Sequence, residues 1–161
     1  MSFEGLVRDH AAALFRYAYW LARDRQQAED VVQEALLRGW RAFPRLRERA
    51  AAKAWLFSIV RNEHLRALGR KPPPAENLDE LELADDRDAP AALEMREALM
   101  ALPASYAEPL ALQVLGGFSC AEIAGMLETT EGATMTRLTR ARQALRRMIA
   151  PSSGKERAGR A

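Results

Sequence analysis

The sequence predicts an all-α chain, and three observations predict it. Apolar residues recur at spacings of three and four along most of the 161 residues. No run of alternating apolar residues is bounded by turn dipeptides, as strands would be. Three consecutive prolines, Pro72 to Pro74, cannot continue a helix because each lacks the N–H and clashes with the preceding turn. They divide the chain into two small helical domains.

In the first domain, residues 1 to 71, Leu14, Tyr17, Ala18 and Leu21 form one apolar stripe. Val31, Val32, Ala35, Leu36 and Trp40 form a second, ended by Pro44, and Trp55, Leu56, Ile59, Val60 and His64 a third. The segment KPPPAENLDELELADDRDAP follows. It is acidic and free of aromatics, and residues 72 to 90 read as a flexible linker. In the second domain, residues 91 to 150, Leu93, Ala98, Leu99 and Leu102 precede Pro103. Leu110, Leu112, Val114 and Leu115 then end at Gly116-Gly117, a helix stop. The tail PSSGKERAGRA, residues 151 to 161, reads as disordered.

Ser119-Cys-Ala-Glu122 is a capping box, in which hydroxyl and carboxylate each satisfy an otherwise unpaired N–H at a helix start. A short helix ending near Leu127 should follow. Glu128-Thr-Thr-Glu-Gly132 then supplies a turn, with Thr129 or Thr130 able to cap a second helix running to about Ile149. Two helices joined by a tight turn, the second strongly basic, make the second domain a helix-turn-helix. Within that helix Thr136 to Arg147 reads TRLTRARQALRR, five arginines and no carboxylate, whereas a solvated face usually interleaves acids with bases. Thr134, Leu138, Ala141, Leu145 and Met148 fall on a packing stripe. Met135, Thr136, Thr139, Arg140 and Gln143 face outward, where a major groove would meet them, and Arg137, Arg142, Arg146 and Arg147 could reach phosphates. The expected partner is DNA.

Charge distribution agrees. The net charge of +2 hides 14 Lys/Arg against 8 Asp/Glu over residues 1 to 71 (net +6), 2 against 9 over 72 to 100 (net −7) and 8 against 5 over 101 to 161 (net +3). Two basic blocks suited to a polyanion flank a segment that it would repel. The single cysteine, Cys120, makes no internal disulfide and no multi-cysteine zinc site. There is no phosphate-binding glycine loop, and the two histidines, His10 and His64, lie far apart in sequence. No catalytic residue, metal or cofactor is expected, and no small-molecule substrate. No apolar run approaches the roughly 20 residues that span a bilayer, and the N-terminus lacks the features of a signal peptide, so the expected location is the cytoplasm without membrane insertion.

Gly117-Phe-Ser-Cys-Ala-Glu-Ile-Ala and Glu131-Gly-Ala-Thr-Met-Thr-Arg-Leu-Thr-Arg-Ala-Arg resemble the carboxy-terminal DNA-binding domain of bacterial extracytoplasmic-function sigma factors. Ala28-Glu-Asp-Val-Val-Gln-Glu34 with Trp40, and Ala54-Trp-Leu-Phe-Ser-Ile-Val-Arg-Asn62, are similar to that family's amino-terminal domain. Order and spacing agree across residues 3 to 149. The resemblance implies a protein that binds core RNA polymerase and directs it to promoters. The first domain would melt and read the minus-ten element and the second read the minus-thirty-five element, under control of an anti-sigma factor. The competing readings are an autonomous helix-turn-helix regulator, which leaves the first domain's motifs unexplained, and a sigma-like decoy, which leaves the arginine-rich helix unexplained.

The resemblance also assigns residues. Asp30, Gln33 and Glu34 share a helical face and would dock on the clamp helices of the polymerase's largest subunit. Asn62 would contact a base flipped from melted promoter DNA, with the loop Arg45 to Ala52 completing its pocket. Arg47 belongs to that loop. Lys53, Arg61, Arg66, Arg70 and Lys71 would hold phosphates, while Trp55 is expected to pack in the core. Met135, Thr136, Arg137, Thr139, Arg140 and Gln143 would meet the minus-thirty-five duplex. Two departures from the common pattern stand out. The loop PRLRERAAAK lacks the usual aromatic, glycine and serine or aspartate, and Met135-Thr136 replaces a basic residue and a serine. Threonine methyls and a thioether suit thymine methyls, leaving Arg140 as the candidate for a bidentate guanine contact.

Overall fold

The computed structural model describes residues 1–70 and 97–159, with side chains through residue 149. Lys71, Leu93 and the expected linker lie outside the described residues, and so does the Arg70 side chain.

Seven helices build the described chain: α1 (Phe3–Ala22), α2 (Arg25–Ala42), α3 (Ala52–Arg70), α4 (97–101), α5 (Ala104–Gly116), α6 (Cys120–Met126) and α7 (Glu131–Gly159). Among the described residues there is no strand. Side-chain caps explain the starts. Ser2 accepts from the Gly5 N–H at 3.0 Å and Asp24 from the Gln27 N–H at 2.8 Å. Arg23 adopts the left-handed conformation between α1 and α2, at φ 58°. Two 3-10 turns, Phe43–Arg45 and Arg49–Ala51, join α2 to α3. Pro44 is the second residue of the first of them, and α2 stops at Ala42, where that turn begins.

Helices α1 to α3 close on Leu14, Tyr17, Ala18, Ala35, Leu56, Phe57 and Val60, all fully buried. Burying each large side chain stabilises the fold by about 1.5–3 kcal/mol. Trp40, expected on this stripe, is 56% exposed. Gly39 takes the inward place against Phe3, where an added Cβ would stand 3.1 Å from the ring, and the Trp40 ring makes a T-shaped contact with Phe3 at 6.0 Å. Trp55 is half-buried and packs beside Phe43, as expected.

In the second half Ala98, Leu102, Ala107, Leu110, Leu138, Ala141 and Leu145 form a core between α4, α5 and α7. Val114 is exposed because residues two apart do not share a helix face, and Leu112 is the inward member of that pair. Met148 is also exposed, because Ile149, four positions after Leu145, takes the inward place. The expected end of α7 near Ile149 is passed. The helix runs past Pro151 to Gly159.

The halves do not keep separate cores. Leu112, Phe118 and Ile123 of the second half belong to the same buried cluster as Leu56, Phe57 and Tyr17 of the first. This seam positions the charged residues considered next.

Candidate nucleic-acid interface

The helix-turn-helix is built by its caps. Ser119 Oγ accepts from the Glu122 N–H at 3.2 Å while Glu122 accepts from the Ser119 N–H at 3.0 Å, so the capping box is complete. Thr130, of the two candidates, caps α7, accepting from the Ala133 N–H at 3.1 Å. Thr134, Leu138, Ala141 and Leu145 are buried, which turns Met135, Thr136, Thr139, Arg140 and Gln143 outward, with Arg137 at the margin. The hydroxyls of Thr136 and Thr139 donate to the carbonyls of Gly132 and Met135 at 3.0 and 2.9 Å. Each threonine therefore has its hydroxyl engaged on its own helix. Arg142 leans back and donates to the Gln113 side chain on α5, whereas Arg146 and Arg147 are exposed.

On α2, Asp30, Gln33 and Glu34 are exposed together. Asp30 accepts from Gln26 at 3.0 Å and Glu34 pairs with Arg38 at 3.6 Å. Both contacts are exposed, and such pairs are worth only a few tenths of a kcal/mol, so the face stays available to a partner.

Asn62 is exposed at a cleft of about 380 Å³ lined by Arg38, Arg41, Trp55, Ile59, Glu63 and Arg66. The expected loop Arg45 to Ala52 does not line it. That segment is coiled into its 3-10 turns, with the Arg49 guanidinium 4.1 Å above the Phe43 ring and Arg47 exposed. Glu63 is 6% exposed beneath the cleft and is neutralised by Arg38 from α2 and by Arg66 at 2.9 Å. Sequence reasoning missed Arg38, Arg41 and Glu63. The Glu63/Arg66 and Glu34/Arg38 spacings of three and four were the signal that could have found two of them.

Lys53 and Arg61 point elsewhere. The Lys53 ammonium donates to the Gly116 carbonyl and sits 4.9 Å above the Phe118 ring, and the Arg61 guanidinium pairs with Glu108 of α5. Burial opposes the Arg61 charge, but the hydrogen bond and charge of Glu108, aided by Tyr17 and Glu128, outweigh it and raise its pKa. Tyr17 is buried beside this pair, and burial, then Glu108, push its phenol far above the ordinary range. His64 is half-buried nearby, an edge residue of its stripe, with its pKa pulled below 6.5 chiefly by burial. Among the described residues, no three His, Cys, Asp or Glu side chains converge as metal ligands would, and no helix is long and apolar enough to cross a membrane.

Comparison with known proteins agrees with this geometry. Residues 6–71 match Sigma-70 region 2 and residues 92–145 match Sigma-70, region 4. The chain is 37% identical over 155 residues to the ECF RNA polymerase sigma factor SigL of Mycobacterium tuberculosis, covering 88% of this chain and 85% of that one. It is 34% identical over 151 residues to SigM of the same organism, covering 92% and 77%. Among solved structures, RpoE in complex with the anti-sigma factor NepR from Bartonella quintana superposes with a TM-score of 0.75 at 24% identity, covering 92% of this chain and 96% of that one. CnrH in complex with the cytosolic domain of CnrY superposes with a TM-score of 0.68 at 28% identity, covering 92% and 88%. With a region 2 half that carries the Asn62 cleft, a region 4 half that carries the capped basic helix, and relatives alike across both, the chain belongs to the family of extracytoplasmic-function RNA polymerase sigma factors.

Proposed function

We propose that this sigma factor binds core RNA polymerase in the cytoplasm and directs it to a defined set of promoters, leaving catalysis to the polymerase. The observation that carries the reading is likeness to sigma factors through both halves at once, joined to an outward α7 face of Met135, Thr136, Arg137, Thr139, Arg140 and Gln143. An autonomous regulator needs only the second half. Asp30, Gln33 and Glu34 would dock on the basic clamp helices of the largest subunit through charge-assisted hydrogen bonds. Residues 1 to 71 would engage the melted minus-ten strand, with Asn62 reading a flipped base, Arg47 meeting the strand from the loop Arg45 to Ala52, and Lys53, Arg61 and Arg66 on phosphates. Residues 91 to 150 would bind the double-stranded minus-thirty-five element through α7. Control by an anti-sigma factor is supported by the solved relatives, RpoE being held by NepR and CnrH by CnrY.

Purified chain mixed with core polymerase and fragmented genomic DNA should yield transcripts whose starts share two spaced elements, absent with polymerase alone. DNA binding by the chain without any such starts would instead establish an autonomous regulator.

A further inference from the structure

We propose that Glu63 is a positioning residue for promoter capture: it gathers Arg38 of α2 and Arg66 of α3 onto the rims of the Asn62 cleft, where the two guanidiniums grip phosphates on either side of the base that Asn62 reads. The inference rests on the minus-ten reading of Asn62 and adds to it an arginine of α2 and the carboxylate that sets the grip.

Ala52, Leu56 and Val60 fall on one buried stripe of α3, and Glu63 takes the next place on it at 6% exposure. A carboxylate there costs desolvation, and an apolar side chain of equal volume would serve stability as well or better. What the carboxylate does that an apolar group does not is hold cations. Arg38 from α2 and Arg66 from α3 meet the same oxygen, Oε1, while their side chains stay open to solvent at 41% and 49% exposure. Arg38 meets Glu63 and Glu34 through Nε, and Arg66 meets Glu63 through one terminal nitrogen, so these ion pairs leave each guanidinium with N–H groups for another acceptor. Trp55, Ile59, Asn62 and Arg66 run along one line of α3 at spacings of four and three, and Arg38 and Arg41 of α2 line the same cleft of about 380 Å³. The arrangement suits a nucleotide: an apolar wall for the base, an amide for its edge and guanidiniums for phosphates. A long arginine side chain loses rotamer freedom when it binds, and Glu63 has already imposed that loss on two of them.

Neutralising Glu63 separates positioning from plain charge, because the two predict opposite signs. Removing a negative charge alone should tighten binding of a polyanion, whereas releasing the two arginines should weaken it. The chain assembled with core polymerase is titrated, over a series of salt concentrations, against a fluorescein-labelled fork that is double-stranded through the minus-thirty-five element and single-stranded through the minus-ten, its sequence taken from the mapped transcript starts. Glu63→Gln should weaken binding about three- to tenfold and lower the salt slope by about 1 to 1.5, the share of two single-strand phosphates. Glu63→Met, which keeps the volume without the charge, should do the same at native helix content, and a duplex ending upstream of the minus-ten element should bind every variant equally. Arg38→Ala added to Glu63→Gln should cost little more, since the two act through one another. Equal or tighter binding of the fork by Glu63→Gln, or weaker binding at an unchanged slope, overturns the positioning role, and the minus-ten reading stands if Asn62→Ala still weakens the fork. If Asn62→Ala also leaves fork binding unchanged, the strand does not enter this cleft and both readings fall.

Discussion

Thr136 and Thr139 turn their hydroxyls onto their own helix, so what each offers DNA is a methyl group. With Met135 beside them, 56% exposed, this part of α7 favours apolar contact with thymine methyls over hydrogen-bonded base reading. Arg140, exposed on the same face, is then the residue proposed to read guanine. Replacing Arg140 with alanine should therefore relax discrimination at one base pair by about 1–3 kcal/mol, while Thr139→Val, which keeps the shape and loses only the hydroxyl, should leave base preference unaltered. Competition between singly substituted minus-thirty-five duplexes for the polymerase-bound chain would measure both. A preference altered by Thr139→Val and untouched by Arg140→Ala would reverse the two roles. The outward residues of α7 were legible in advance because a 3.6-residue period sorts them by itself. The hydroxyl orientation was not, since it depends on a carbonyl one turn back that a threonine can take or decline.

The turn between α5 and α6 shows the same division at the scale of an element. Gly116-Gly117 reads as a helix stop from sequence alone, and Gly117 does sit in the left-handed region at φ 70°. Gly116 has a second reason to be glycine that no local pattern reveals, because an added Cβ would lie 2.3 Å from the Phe118 ring. Gly116→Ala should consequently force Phe118 from its pocket and cost about 1–3 kcal/mol, more than the roughly 1 kcal/mol expected for Ser119→Ala at the neighbouring cap. Urea midpoints for the two variants would rank them. A milder effect at Gly116 would mean that Phe118 can yield without loss. Every expected helix of the described residues was legible through periodicity and caps. The destinations of Lys53, Arg61 and Phe118 were not, because their partners lie in the other half of the chain, and spacing within one helix carries no information about them.

At the scale of the whole molecule, the apolar stripes identify which faces are buried and not which faces meet. Leu112 and Ile123 read equally well as residues of an independent second core, yet they complete the first. The two halves thus share stability, and His64 gives a way to perturb it with pH. Its imidazole lies near Glu108 of the second half and near Arg61 and Arg23 of the first. Burial is the largest influence and disfavours the charged form, Arg61 and Arg23 act in the same direction, and Glu108 alone opposes them. The folded chain therefore takes up this proton at lower pH than the unfolded chain, whose histidine titrates near 6.5. Unfolding binds a proton within that interval, so this contribution lowers stability as pH falls through 6.5 and levels off once the folded histidine is charged as well. The urea midpoint should drop between neutral and mildly acidic buffer, and His64→Gln should drop less over the same range. An equal loss in the variant would assign the acid sensitivity to other groups. A greater loss in the variant would mean that Glu108 outweighs burial and that His64 is held charged at the seam.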